Sequence, residues 1–313
     1  MSLHAARAPR RGPGARLALA LALAVLAGAT ACDEKYEEVH VALTPTRDDA
    51  SRPPPGGPAE LRFGLAAMLS PRETHADYER VFAALARAVG RKLRLVHGQS
   101  YQHTNALLLA NKLDMAWVCT GGYAALSHAV PPVELLGLPL VRGQTTYHSL
   151  ILVGEQSAAR AMRDLRGKRF AFVDPLSQTG FRSPVALLRE MGTDPDAFFG
   201  SYVFAGTHDR AIQAVRRGAA DGAAVDELIY RYLQQRRAEA VRGLRAIYRS
   251  PPYANPPIVA APGSSPADRQ RWQRALLTLH ERSDVQPSIR AIGVERFVRA
   301  SPDLYRSALG TPD

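Results

Sequence analysis

Two cysteines in 313 residues, Cys32 and Cys119, make no disulfide framework and no pair or quartet with zinc spacing. Lysine is scarce as well. Of 40 basic residues only Lys35, Lys92, Lys112 and Lys168 are lysine, and the arginines are scattered rather than clustered. The formal charge of +11 is therefore not a nucleic-acid footprint, and no nucleic-acid partner is expected. Part of it (Arg7, Arg10, Arg11, Arg16) lies in the first 31 residues, which hold no acid. No H-E-x-x-H, P-loop or G-x-G-x-x-G occurs, so metal, nucleotide and dinucleotide chemistry have no support and no cofactor is expected. No internal repeat is evident. What is present is ordinary globular composition, 46% hydrophobic and 22% charged, enough for one large domain or two of common size.

The N-terminus reads as an address. A basic stretch to Arg16 precedes Leu17–Ala31, an uncharged run shorter than the roughly 20 apolar residues needed to span a bilayer but suited to a signal h-region. Ala29, Thr30 and Ala31 then lead into Cys32, an order that resembles a bacterial lipobox. Ala29 departs from it, because leucine is usual three positions before the cysteine. Asp33 resembles the signal that retains lipoproteins at the inner membrane. Residues 1–31 are thus expected to be a lipoprotein signal peptide, with Cys32 lipidated. Residues 32–60, which include SRPPPGGP at 51–58, are expected to be a flexible tether.

Beyond Leu61, strand-like and helix-like segments alternate. LRFGLA at 61–66, 93–97, 114–118, 150–153, 169–173, 202–205, 222–225 and 244–249 read as strands. Helices are expected over 72–89, 104–112, 181–191, 208–217 and 227–236, with a long amphipathic stretch at 267–282. This pattern predicts an α/β protein with largely parallel sheets, whose ligands bind beyond the carboxyl ends of strands.

Three strand-to-helix loops carry chemistry. Asp174-Pro175-Leu176-Ser177-Gln178-Thr179-Gly180 sets two hydroxyls, an amide and a glycine before a helix start, where free N–H groups favour an anion. Ala205–Asp209 puts His208 in a first helical turn, and Asp221–Asp226 ends a short apolar strand on an acid. Each reads more simply as a helix cap. Ser177, His208 and Asp226 also suggest a hydrolase triad, but Ser177 lacks the G-x-S-x-G elbow. Cys119, after an apolar run, reads as a buried small residue rather than a nucleophile.

From Leu61 to about Pro262 these segments are similar to the phosphate/phosphite/phosphonate-binding proteins of ABC transporters, the PhnD-like family. The resemblance rests on Ser70-Pro71, Tyr101, the D-x-A-W-x-C…Y pattern from Asp114 to Tyr123, and Tyr147-His148-Ser149. The D-P-x-S-x-[ST]-G loop at 174–180, His208 and Asp226 complete it. Gln178 departs from the serine or threonine of many relatives. The resemblance implies a two-lobe type II periplasmic-binding-protein fold with a hinge of two crossing segments, near 147–150 and 249–255. Lobe 1 would take 61–149 and 250–313, and lobe 2 would take 150–249. It further implies an interlobe cleft in which Tyr101, Tyr147, Ser149, Ser177, Gln178, Thr179, Gly180, His208 and Asp226 hold a small oxyanion, with closure of the hinge burying it. Asp226, an acceptor, would favour a ligand carrying a proton or an amino group. The expected protein is a monomeric periplasmic lipoprotein, not an enzyme, that serves an ABC transporter permease from the inner membrane. A Ser-His-Asp hydrolase and a ligand-sensing or structural lipoprotein of the same fold stand as alternatives. If the lipid anchor is real, Cys32→Ser releases the protein from membrane fractions or blocks its maturation. A wild-type protein that fractionates as freely soluble, with Asp33 or an earlier residue at its N-terminus, contradicts it.

Overall fold

The computed structural model describes residues 60–309. The expected signal peptide, most of the expected tether and Cys32 lie outside the described residues. The chain begins with β1 (Glu60–Leu65), where Leu61, Phe63 and Leu65 alternate onto one buried face. The helix Pro71–Ala88 lays Tyr78, Phe82 and Leu85 on that face at helical spacing, and the Phe63 and Phe82 rings stack with centroids 3.9 Å apart. This layer is the core of one lobe.

Two sheets organise the chain. The first holds β1, β2 (Lys92–His97), β3 (Met115–Trp117), β4 (Glu134–Leu140), β12 (Ile258–Ala260) and β13 (Arg296–Val298). Its order is β13-β4-β12-β3-β1-β2. The second is ordered β10-β6-β9-β7-β8, from β6 (Ser149–Gly154), β7 (Arg169–Phe172), β8 (Ser201–Phe204), β9 (Gly222–Asp226) and β10 (Leu244–Arg249). Between them β5 (Thr146–Tyr147) pairs with β11 (Tyr253–Ala254), so the chain passes from one sheet to the other on two adjacent, antiparallel segments. The Ser250 N–H donates to the Ser149 carbonyl at 3.0 Å beside them. The fold is thus a two-lobe α/β architecture joined by a double crossing. Among the described residues no helix is long and apolar enough to cross a membrane.

The sheets are mixed, which corrects the expectation of largely parallel pairing. β1 runs parallel to β2 and β3, and β7 to β8 and β9. β4, β6, β10, β12 and β13 pair antiparallel. β6, β10 and β12 adjoin the crossings, and a chain that leaves a lobe and returns re-enters it in the opposite direction. Apolar runs carry no sign of direction. Two helices also differ from expectation. One starts at Tyr101 rather than Thr104, because the Ser100 hydroxyl caps it by accepting the His103 N–H at 3.1 Å. The stretch 267–282 is a helix, Pro266–Leu277, followed by a separate turn, Leu279–Glu281. Between β6 and β7 the chain makes one helical turn, Met162–Leu165.

The structure also shows a repeat that the sequence reading missed. Asp114 accepts the Arg62 backbone N–H at 2.7 Å and its guanidinium at 2.6 and 3.1 Å, tying the start of β1 to the start of β3. Asp221 does the same for Arg169 at 2.9, 2.9 and 3.2 Å, tying β7 to β9. Both pairs are 52 residues apart, and each member of one lies 107 positions from its counterpart. The same step relates Ser70 to Ser177, Tyr101 to His208 and Cys119 to Asp226. Each lobe is built from one β-α-β-α-β-α plan, and those three pairs mark equivalent helix starts.

The Asp114 side chain is 14% exposed and that of Asp221 is 37% exposed. Hydrogen bonds to charged groups contribute about 1.5–3 kcal/mol when buried and less when solvated. Asp114→Ala is expected to lower stability by about 1–3 kcal/mol, and Asp221→Ala by less, in urea unfolding of the full chain. Equal losses would contradict this account of the two clamps.

Candidate functional site

The carboxyl ends of β1, β2 and β3 in one lobe face those of β7, β8 and β9 in the other, and the residues singled out in the sequence lie on the loops between. Val173 follows the end of β7, and the loop after it is held by Asp174. One Asp174 oxygen accepts the Leu176 N–H at 2.8 Å, and the other accepts the Tyr101 N–H of the opposite lobe at 3.1 Å. A five-residue π-type turn, Gln178–Arg182, follows, capped by the Ser177 hydroxyl, which accepts the Gly180 N–H at 3.0 Å. Glycine is needed at 180 because a Cβ there would run into the Val173 side chain. Across the cleft Gly121 is needed likewise, since a Cβ would strike the Leu176 carbonyl. The two lobes meet at these points, and also where the His208 N–H donates to the Met68 carbonyl at 3.1 Å and the Ser70 N–H to Asp209 at 3.0 Å.

Most of the nine candidate side chains already have partners. Ser149 donates its hydroxyl to the Thr179 carbonyl at 2.6 Å, and the Tyr147 hydroxyl donates to Thr120 Oγ1 at 3.1 Å. His208 Nδ1 accepts the Asp226 backbone N–H at 3.1 Å, which leaves the ring proton on Nε2. Burial takes the His208 pKa down to about 3, so the ring is a neutral donor. Asp226 caps the helix Glu227–Arg236 by accepting the Leu228 and Ile229 N–H groups at 2.6 and 3.2 Å. Burial raises its carboxyl to about 7 against the pull of those two N–H groups. Cys119 starts the helix Thr120–Leu126, and burial pushes its thiol up to about 11, so it is no thiolate.

Four buried polar atoms in these loops have no hydrogen-bond partner: the hydroxyls of Tyr101, Thr179 and Thr207 and the amide oxygen of Gln178. Ser177 lies beside the Tyr101 hydroxyl, but burial and nearby Cys119, Asp174 and Asp226 dominate and raise the Tyr101 pKa well above its ordinary value. Buried groups without partners cost about 1–3 kcal/mol each, so their collection around one cleft marks a place where something else supplies the bonds. Three hydroxyls, a neutral imidazole and helix starts form a donor-rich site with no buried cation among them. Such a site can replace the hydration of an anion. As a catalytic relay the geometry fails. In a triad the aspartate carboxylate receives the His Nδ1 proton, whereas here Nδ1 bears none and is held by the Asp226 main chain. Thr207, Asp174 and Thr120 were missed as site residues. Thr207 was legible, since it precedes His208 as Ser100 precedes Tyr101, whereas Asp174 and Thr120 act through contacts distant in sequence.

An interlobe cavity of about 410 Å³ adjoins the site at Asp226. It is not lined by Tyr101, Ser177, Thr179 or His208.

The sequence model of the family described as "ABC transporter, phosphonate, periplasmic substrate-binding protein" matches residues 63–305. A curated relative, the phosphate-import protein PhnD of Mycolicibacterium smegmatis, is 26% identical over 186 residues, 56% of this chain and 57% of the relative. The match thus spans little more than half of that relative's length. Among solved structures, a binding protein component of an ABC phosphonate transporter from Pseudomonas aeruginosa superposes with a TM-score of 0.74 at 18% identity, covering 80% of this chain and 84% of that one. PhnD1 from Prochlorococcus marinus, in complex with methylphosphonate, gives 0.73 at 17% identity, covering 80% and 96%. At these identities the likeness shows the fold.

The raised Asp226 carboxyl has a consequence for the ligand-free protein. Its folded pKa of about 7 lies above the ordinary 3.8, so the stabilising effect of the protonated form is present below pH 4 and is lost as pH rises through 7. Relative to Asp226→Asn, the wild type is expected to lose stability, on the order of a few kcal/mol, between pH 4 and 7, with a constant difference above. His208 titrates with the opposite sign, being depressed, but both proteins keep it and the difference cancels it. Thermal unfolding of both proteins across pH 4–8 tests this, and a pH-independent difference would contradict the buried-acid account.

Proposed function

Because the chain belongs to the periplasmic substrate-binding proteins of phosphonate ABC transporters, we propose that it captures a phosphorus oxyanion (phosphate, phosphite or phosphonate) in the interlobe cleft and delivers it to a transporter permease. The observation that carries this reading is the set of unpartnered buried atoms on Tyr101, Gln178, Thr179 and Thr207 around a neutral His208. A tetrahedral oxyanion loses its hydration when a cleft closes, and fixed donors must replace the water. The Tyr101 hydroxyl approaches from one side, and Ser149, at the crossing, holds Thr179 in place through its carbonyl. Thr179, Thr207, the Nε2 proton of His208 and the Ser177 hydroxyl approach from the other. Gln178 and Asp226 supply acceptors, which suit an oxyanion that still carries a proton. Gly180 sets the turn and Tyr147 braces the crossing.

In the same reading the binding lobes are 61–149 with 250–313 and 150–249. Cys32 carries a lipid, and residues 32–60 tether a monomeric binding body to the periplasmic face of the inner membrane. The protein then binds without turnover. The hydrolase alternative has no favouring observation, since Ser177, His208 and Asp226 form no relay.

Thr179→Val is the sharpest test because valine keeps the shape and removes an unpartnered hydroxyl. The ligand-free variant should be as stable as the wild type or slightly more so. Its affinity for the best ligand among phosphate, phosphite and methylphosphonate should fall roughly 10- to 150-fold, as one charge-assisted hydrogen bond predicts. Calorimetry on the full chain measures both affinities, alongside an assay for release of inorganic phosphate from phosphoesters. Binding of none of the three, or unchanged affinity in Thr179→Val, would refute the site. Turnover abolished by Ser177→Ala would favour the hydrolase.

A further inference from the structure

The cavity of about 410 Å³ beside Asp226 is much larger than a tetrahedral oxyanion requires and falls in the range of pockets that hold whole small organic molecules. Its walls come from both lobes. Tyr78, Trp117, Leu69 and Met68 line it from one, and Ile229 and Tyr232 from the other. The Tyr78 and Trp117 rings lie 5.9 Å apart and tilted, giving the cavity an aromatic side. Two residues of its wall also touch the donor-rich site. Asp226 lines the cavity while its main chain holds His208, and Met68 lines it while its carbonyl accepts the His208 N–H. Both Asp226 helix-cap bonds use Oδ1, and Oδ2 has no hydrogen-bond partner among the described residues. The rim is cationic. Arg231 and Arg249 share Glu227 at 2.8 and 3.2 Å, and the exposed Arg142 has no ion-pair partner among the described residues. An ammonium-bearing substituent would meet that excess of positive charge, whereas an uncharged ring would meet the apolar wall.

We propose that, given the oxyanion reading on which this rests, the cavity seats an apolar, ring-sized substituent carried by the oxyanion, so that the ligand is an aryl-bearing phosphonate or phosphate monoester rather than a bare inorganic anion. The oxyanion takes the donors of Tyr101, Thr179, Thr207 and His208, and the ring passes Asp226 into the space between Trp117 and Tyr232. Complete burial of a ring of phenylalanine size is a large apolar gain, so the ring should tighten binding about 10- to 100-fold over a methyl substituent.

The test is calorimetry on the full chain with phosphate, methylphosphonate, benzylphosphonate and phenyl phosphate. The last two have nearly the same shape and separate a carbon–phosphorus ligand from an ester. At least tenfold tighter binding of either one than of methylphosphonate is the expected result, and their ratio identifies the source. Val141→Trp, which places bulk into the cavity from its half-buried rim, should erase that advantage while methylphosphonate affinity stays within about twofold. Gln235→Trp, at an exposed position on the mouth, gives an independent obstruction should Val141→Trp unfold. Methylphosphonate or phosphate binding with no gain from the ring would overturn the cavity assignment and leave the oxyanion reading standing. An equal loss for all ligands in both tryptophan variants would also overturn it. Binding of none of the four would sink both.

Discussion

Asp174 holds the Leu176 N–H of its own loop with one oxygen and the Tyr101 N–H of the opposite lobe with the other, at 2.8 and 3.1 Å. Much of the cleft depends on that pair of bonds. The first shapes the turn that presents Ser177, Gln178 and Thr179. The second uses an N–H at the start of the helix Tyr101–Leu109, which has no partner inside that helix, and so fixes where the Tyr101 ring stands. The carboxylate is nearly buried, so an unpaired oxygen there would be expensive, and the cheapest arrangement is the one in which the lobes meet. Close approach at Gly121 and Gly180 lets the backbones come together as that contact demands.

The consequence for chemistry is a site whose side-chain donors are neutral groups. A buried arginine or lysine would hold an anion strongly but would carry a heavy desolvation penalty when the site is empty. Hydroxyls and a neutral imidazole cost less to bury, and four unpartnered polar atoms are the residual cost. His208 is neutral because it is buried, with only Asp209 opposing the shift. The Asp226 main chain then sets its tautomer, leaving Nε2 to donate. In the proposed reading, several neutral donors without a buried cation discriminate by geometry and protonation more than by charge. That suits ligands which differ in how many oxygens carry protons.

Several parts of this were legible in the residues. The alternation of strand and helix, Ser177–Gly180 at a helix start, and Asp226 at a strand end are local features, and local features show in spacing. Asp226 as a helix cap and Cys119 as a buried thiol were likewise readable from their positions. Strand direction was not, and the strands Ile258–Ala260 and Arg296–Val298 were not read at all, because they are three-residue runs whose pairing is decided by partners more than a hundred residues away. The repeat escaped for a different reason. Its 107-residue step preserves positions while changing the chemistry at most of them, so Tyr101 and His208 occupy equivalent helix starts with no likeness of side chain. The Arg62–Asp114 and Arg169–Asp221 clamps keep both geometry and residue type, since each must tie a strand start to its neighbour.

That repeat explains why the cleft has two unlike walls. In each lobe three helix starts stand at the carboxyl ends of three strands, at Ser70, Tyr101 and Cys119 in one and at Ser177, His208 and Asp226 in the other. Helix starts leave N–H groups without partners inside the helix, and the facing lobe takes several of them here, Asp174 the Tyr101 N–H and the Met68 carbonyl that of His208. The side chains then divide the work. Two of the first lobe's positions carry an aromatic ring and a neutral thiol, continuous with the apolar wall of Leu69, Met68 and Trp117. The second lobe's carry a hydroxyl, an imidazole and an acid. An apolar wall therefore faces a polar floor, which raises the cost of every unsatisfied group on that floor and is the feature on which the proposed ligand, anionic at one end and apolar at the other, rests.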